Sequence, residues 1–116
     1  MLAAGGGRVV NISMNESTMV RRGFVPYGPS GAAVEALSRV MAADLADSPV
    51  RVNMLLPGGA TETGMVPSEG ISEDVRSSLL SPDVMGPAIV WLASDEAADV
   101  HDQRIVAKDW SPPGAS

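Results

Sequence analysis

Two short apolar runs decide the fold: RVVNIS at residues 8–13 and VRVNMLL at residues 50–56. Both are rich in β-branched or large apolar side chains, which is typical of strands that are buried on both faces of a parallel sheet. Glycines at residues 5–7 precede the first run, and PGG at residues 57–59 ends the second. The sequence therefore predicts two buried strands that are bounded by turns.

The segment between the two runs, residues 28–47, has the spacing of a helix. Its apolar side chains recur every three or four residues, which predicts that one stripe faces the sheet. The members of this stripe are Ala33, Val34, Leu37, Val40, Met41 and Leu45. Glu35 and Arg39 have the i,i+4 spacing of an ion pair on the opposite side. Pro29 suits the first turn of the helix and Pro49 stops its continuation. The succession strand, helix, strand predicts a right-handed βαβ unit with parallel strands.

The C-terminal half adds shorter elements. Residues 57–72 are rich in Gly, Thr, Glu, Ser and Pro, which predicts a loop of the kind that often carries binding. Helical patterns predict helices at residues 73–80 and 83–94, and a third strand is predicted at residues 104–107. Residues 110–116 are predicted to be an irregular tail.

Length, composition and charge limit the class of protein. A chain of 116 residues with 45% hydrophobic residues predicts one α/β domain over residues 1–116. The net charge of −6 disfavours nucleic acid and anionic membranes as partners. The chain has no Cys, so thiolate chemistry is excluded, and we expect a cytoplasmic protein. The first seven residues have neither the basic start of a signal peptide nor the length of a membrane span.

The order of three stretches is informative: GRVVNIS at residues 7–13, YGPSGAAVEAL at residues 27–37, and RVNMLLPGG at residues 51–59, followed by Thr63. In this order they resemble the C-terminal half of a short-chain dehydrogenase/reductase, and the resemblance covers nearly the whole chain. It implies a partial Rossmann fold, that is, part of a doubly wound parallel sheet of about three strands with flanking helices. It also implies hydride transfer between NAD or NADP and a small carbonyl or alcohol substrate.

The resemblance assigns roles to individual residues. Tyr27 corresponds to the family's acid/base Tyr, which exchanges a proton with the substrate oxygen. The family places a Lys four residues after this Tyr and a Ser thirteen residues before it, and here these positions hold Gly31 and Met14. Ser13 is the hydroxyl nearest to the Ser position, so we name Tyr27 and Ser13 as the candidate catalytic residues.

Cofactor contacts are implied for Tyr27 and for the turn after the second strand, at Pro57, Gly58 and Gly59, with Thr63 beyond it. The family's phosphate-binding glycines and its ribose-selecting acidic residue correspond to positions upstream of the matched region. The glycines at residues 5–7 do not replace them, because a phosphate cradle lies between a strand and a helix. We therefore expect this chain alone to bind the dinucleotide poorly and to be inactive.

Three hypotheses remain open at this stage. The chain is an inactive part or degenerate relative of an oxidoreductase, a non-catalytic module that associates with itself or with a full-length relative, or a reductase that uses a nucleotide-binding half from a second polypeptide. The first strand is an interior strand in the family, so an unpaired edge here favours self-association. His101, between Asp99 and Asp102, lacks a second ligand at metal spacing, and no metal site is predicted.

Overall fold

The computed structural model describes residues 1–59 and 79–113. Its centre is a sheet of three parallel strands in the order β1-β2-β3. The strands are β1 (Gly7–Ile12), β2 (Val50–Leu56) and β3 (Arg104–Val106). The predicted fold class, a partial α/β parallel sheet, is confirmed.

Three α-helices accompany the sheet in the described ranges: α1 (Glu16–Met19), α2 (Tyr27–Asp44) and α3 (Gly86–Ala93). The helix predicted at residues 83–94 is present as a 3₁₀ turn, Pro82–Met85, followed by α3. Two further 3₁₀ turns are Asp95–Ala97 and Ala107–Asp109. The short helix α1 has no counterpart among the sequence predictions.

Two stretches with predictions lie partly beyond the described ranges. The helix predicted at residues 73–80 falls almost wholly outside them, and so does the loop at residues 57–72 after its first three residues. Residues 110–113 of the tail contain neither helix nor strand.

The sheet separates two apolar layers. On one face, Ala42 of α2 packs with Val50 and Val52 of β2. On the other face, Leu55 packs with Ala88 of α3 and with Ala107. The strands alternate between the two layers because successive side chains of a strand point to opposite faces.

The predicted apolar stripe of α2 is only partly the buried face, and this prediction was wrong for Ala33, Val34, Leu37 and Val40, which are exposed. Leu37 and Val40 are 56% and 57% exposed, whereas Gly31 and Ser38 are buried. The reason is that the sheet beneath α2 offers polar partners. The amide of Asn11 on β1 donates to Ser38 Oγ over 2.8 Å, and Ser38 Oγ donates to the Val34 carbonyl.

The predicted ion pair between Glu35 and Arg39 is also wrong. Glu35 faces the sheet and pairs with Arg104 of β3, with 2.5 Å between Oε1 and Nε. Arg39 points away and pairs with Asp102 over 2.6 Å. Compared with the orientation that the apolar stripe predicts, α2 is rotated about its axis. This rotation exposes Leu37, and it gives Glu35 and Arg39 separate partners in place of each other.

Two polar side chains, the buried Asn53 and the half-buried His101, close the turn that precedes β3. The Asn53 amide donates to the Val100 carbonyl over 3.0 Å and its oxygen accepts from the Gln103 N–H over 3.1 Å. His101 Nδ1 accepts from the Val52 N–H over 3.1 Å, so Nε2 is the nitrogen that donates to the Ala42 carbonyl, 2.8 Å away. Both ring nitrogens of His101 therefore serve the fold.

Asn53→Ala is expected to lower the free energy of unfolding by about 1–2 kcal/mol, because it leaves two backbone groups without their partner. Urea denaturation followed by circular dichroism measures this loss. Gln103→Ala is the matched control, since among the described residues the exposed Gln103 side chain makes one bond, to the His101 carbonyl. Equal losses in the two variants would contradict the role given to Asn53.

Candidate functional site

Tyr27 begins α2 at the end of the sheet where the strands finish. Its side chain is 48% exposed, and its ring lies 6.3 Å from the ring of Phe24. The Arg21 guanidinium lies 5.1 Å from the centre of the Phe24 ring. Within the described ranges, no protein group is hydrogen-bonded to the Tyr27 hydroxyl, so the phenol is accessible to a ligand.

The side chain of Met14 fills the space beside Gly31, which lies one helical turn after Tyr27. A β-carbon at Gly31 would lie 2.1 Å from Met14 Cε and 2.6 Å from its Sδ. Side chains at positions i and i+4 of a helix share a face. The surface of α2 next to Tyr27 is therefore covered by a thioether at the position where the family has its Lys.

Ser13 is buried, and its hydroxyl is directed to Glu35 rather than to Tyr27. Ser13 Oγ donates to Glu35 Oε2 over 3.0 Å, and Glu35 also accepts from Arg104. Glu35 lies two turns beyond Tyr27, which is about 12 Å along the helix axis. Tyr27 is the first residue of α2, whereas Ser13 contacts α2 two turns further along. The structure thus does not bring the two candidate catalytic residues together.

The network around Ser13 includes residues that the sequence analysis did not select. The Arg104 guanidinium also donates to the Met14 carbonyl over 2.7 Å, so it links β3 to the end of β1. A charged residue in a predicted buried strand is the signal that could have found Arg104, because such a charge needs a partner.

The turn after β2 packs against the end of β3. Gly58 has a φ of +98°, and a β-carbon there would lie 2.6 Å from Val106 Cγ1 and 2.8 Å from Lys108 Cγ. The Lys108 N–H donates to the Pro57 carbonyl over 3.1 Å. Contacts within the chain therefore already require a glycine at position 58. Gly59 lies beside Leu80, and Thr63 lies outside the described residues.

The described ranges offer neither a metal centre nor a membrane-spanning helix. These residues contain no group of three or more His, Cys, Asp or Glu side chains that could hold a metal ion. Within the same part of the chain, no helix is both long enough and apolar enough to cross a membrane.

Comparison with known proteins gives the family. The model of the family described as enoyl-(acyl carrier protein) reductase matches residues 1–108. The D-threitol dehydrogenase of Mycolicibacterium smegmatis is 34% identical over 91% of this chain and 44% of its own length. The chloroplastic NADPH-dependent aldehyde reductase 2 of Arabidopsis thaliana is 33% identical over 89% of this chain and 40% of its own length.

Solved structures agree with these relatives. A putative NAD(P)-dependent gluconate 5-dehydrogenase from Beutenbergia cavernae, with NADP bound at low occupancy, has a TM-score of 0.80 and 31% identity over 92% of this chain and 46% of that chain. A short-chain type dehydrogenase/reductase from Mycobacterium ulcerans has a TM-score of 0.78 and 30% identity, over 91% of this chain and 42% of that one. The chain belongs to the short-chain dehydrogenase/reductase family and spans less than half the length of these four relatives.

The described residues do not fit a nicotinamide dinucleotide at the face of α2 next to Tyr27. In the family, the Lys at the position of Gly31 is the residue expected to hold the nicotinamide ribose. Gly31 has no side chain, and the Met14 thioether fills the adjacent space. A thioether is only a weak acceptor and has no proton to donate, so it offers poor hydrogen bonding to a ribose diol. This mismatch concerns the chain's own packing and does not depend on how much of its relatives the chain spans.

Proposed function

We propose that this chain, which resembles the C-terminal half of hydride-transferring reductases, does not itself turn over substrate. In a full-length reductase of the family, NAD or NADP would exchange a hydride with a small carbonyl or alcohol compound. Tyr27 is the remaining acid/base position, and Pro57, Gly58, Gly59 and Thr63 are the positions on the cofactor side. The observation that carries the proposal is the packing of Met14 on Gly31.

The chemical argument concerns the proton. A phenol gives or takes a proton readily near neutral pH only when a neighbouring cation or hydrogen-bond donor stabilises its ionised form. At the two positions where the family supplies these groups, this chain has Met14 and Gly31, and the hydroxyl of Ser13 is already bonded to Glu35. Tyr27 therefore retains a phenol without the groups that would activate it.

The substrate class follows the relatives by analogy alone. The names of two relatives refer to D-threitol, which is a small polyol, and to aldehydes. Both belong to the alcohol and carbonyl compounds that the resemblance implies. We extend this class, but no particular compound, to the ancestral activity of the chain.

The test is an assay of NADPH and NADH oxidation, followed by absorbance, with short aldehydes as substrates. The purified chain is assayed alone and mixed with the separately expressed nucleotide-binding half of a relative. We expect no turnover from the natural chain in either case. In the mixture, Met14→Ser with Gly31→Lys is expected to gain turnover, because the two changes return a hydroxyl and an ammonium to the face next to Tyr27.

Tyr27→Phe in the same double variant is the control, and it is expected to remove the gained turnover. Turnover by the natural chain would contradict the proposed inactivity. A gain of turnover that survives Tyr27→Phe would contradict the role of Tyr27.

A second candidate function, association without catalysis, is favoured by the outer face of α2. Val34, Leu37 and Val40 lie on this face and are exposed. Exposed apolar residues at helical spacing are typical of a surface that packs against another helix. A second copy of the chain would present the same face, and two such faces can pair about a twofold axis.

Leu37→Glu with Val40→Glu is expected to convert an associated chain to a monomer, because it places charges in an apolar contact. Sedimentation velocity at several protein concentrations measures the change. Val90→Glu is the matched control, because Val90 is exposed on α3, away from this face. A natural chain that is monomeric at all concentrations, and that does not bind a full-length relative, would exclude this candidate.

A further inference from the structure

The Met14 side chain fills the space next to Gly31. Gly31 is buried in the interior of α2, where a β-carbon would lie within 3.0 Å of three atoms of the Met14 side chain. Real β-carbons essentially never make contacts under 3.0 Å, so a neighbouring group would have to shift, and here that group is the end of a flexible thioether side chain. A side chain at position 31 would therefore have to displace the Met14 thioether.

The backbone of Met14 is fixed, so the thioether can move only by rotation of its own side chain. The Met14 carbonyl accepts from the Arg104 guanidinium over 2.7 Å. The preceding residue, Ser13, is bonded to the Leu55 carbonyl through its N–H and to Glu35 through its hydroxyl. The chain at the end of β1 is thus attached to β2 through Leu55, to β3 through Arg104 and to α2 through Glu35.

The segment that follows Met14 is seated on the first turn of the same helix. A β-carbon at Gly28 would lie 2.6 Å from the Met19 carbonyl oxygen and 2.7 Å from that of Thr18. These are backbone atoms of α1, which cannot rotate away as a side chain can. The segment from Met14 to Met19 therefore packs on one face of α2, against Gly28 and Gly31.

We propose that Met14 and Gly31 act as a pair. The Met14 thioether occupies the space that any side chain at position 31 would enter. The pair excludes an amine donor, and with it a ribose diol, from the face of α2 next to Tyr27. A side chain at position 31 is therefore expected to fit without cost only when the residue at position 14 is smaller than Met. This inference deepens the proposed function, but its test measures stability and side-chain position and needs no turnover.

The test is a cycle of Gly31→Ala in the natural chain and in Met14→Ala. Alanine is the better helix former, so where the space is empty Gly31→Ala is expected to lower the unfolding constant about two- to fivefold. Where Met14 is present, overpacking is expected to outweigh this gain and to raise the unfolding constant about fivefold or more. The substitution thus changes the sign of its effect with the residue at position 14.

Ala32→Gly is the matched control, because Ala32 is adjacent in α2 but exposed. Its effect is expected to be the same in both backgrounds. A second readout is the spectrum of the chain labelled with ¹³C-methyl methionine. The Met14 methyl resonance is expected to shift in Gly31→Ala and to stay in place in Ala32→Gly.

The outcomes separate clearly. A change of sign, or folding of Gly31→Ala only when Met14→Ala is also present, supports the pair. Three results would overturn the pair: an equal effect of Gly31→Ala in both backgrounds, an unchanged Met14 resonance in Gly31→Ala, or failure of Gly31→Ala to fold both with and without Met14→Ala. Turnover in the separate aldehyde assay would contradict the proposed inactivity while leaving this result unaffected.

Discussion

Leu55→Ala is expected to lower the free energy of unfolding by about 2–5 kcal/mol, the largest effect that we predict for a single residue. Leu55 is fully buried in β2 and packs with Ala88 and Ala107 on the α3 face of the sheet. Its partly buried neighbours include Val10 and Ile105, which belong to the adjacent strands. Since the strands are held by their ladders, they cannot close in on the cavity, and most of the lost packing stays lost. Urea denaturation at a constant slope measures the difference.

Leu37→Ala is the matched control, because it removes the same atoms from an exposed position of α2. Its expected cost is within about 1 kcal/mol at concentrations where the chain is monomeric. The comparison also tests the rotation of α2, since the sequence pattern assigns Leu37 to the buried stripe. A cost similar to that of Leu55→Ala would contradict the exposed position of Leu37.

The strands were predictable to within about one residue because their signals are local. The run at residues 50–56 is apolar except for Arg51 and Asn53 and is followed by a proline and two glycines, and β2 occupies this run. The rotation of α2 was not predictable from apolar spacing. It depends on Asn11 and Ser13, whose polar groups need partners in the buried layer above β1.

For the candidate site, the family resemblance indicates candidate positions but not their contacts. Spacing from Tyr27 is enough to find Met14 and Gly31 as departures from the family pattern. That a side chain at position 31 would compete with the Met14 side chain for one space is a long-range fact, which no local pattern contains. The bond between Glu35 and Arg104 joins residues 69 positions apart, so it too is decided by the packing of α2 on the sheet.

Arg104→Met is expected to lower the free energy of unfolding by about 2–3 kcal/mol, because it leaves a largely buried carboxylate without its cation. The side chains of Arg104 and Glu35 are only 20% and 16% exposed. The substitution also removes the donor to the Met14 carbonyl. We therefore expect the Met14 methyl resonance to broaden or shift in the same variant, which would connect the ion pair to the closed face next to Tyr27.

Arg39→Met is the matched control, since the pair of Arg39 and Asp102 is about half exposed on both sides. Exposed pairs contribute about 0–1 kcal/mol, so this variant should lose little stability. Adding Glu35→Gln to Arg104→Met should recover part of the loss, because the amide still accepts from Ser13 and no longer buries a charge. If nothing is recovered, the cost of Arg104→Met comes from the lost bond to Met14 or from packing, and the unpaired charge of Glu35 is not its cause.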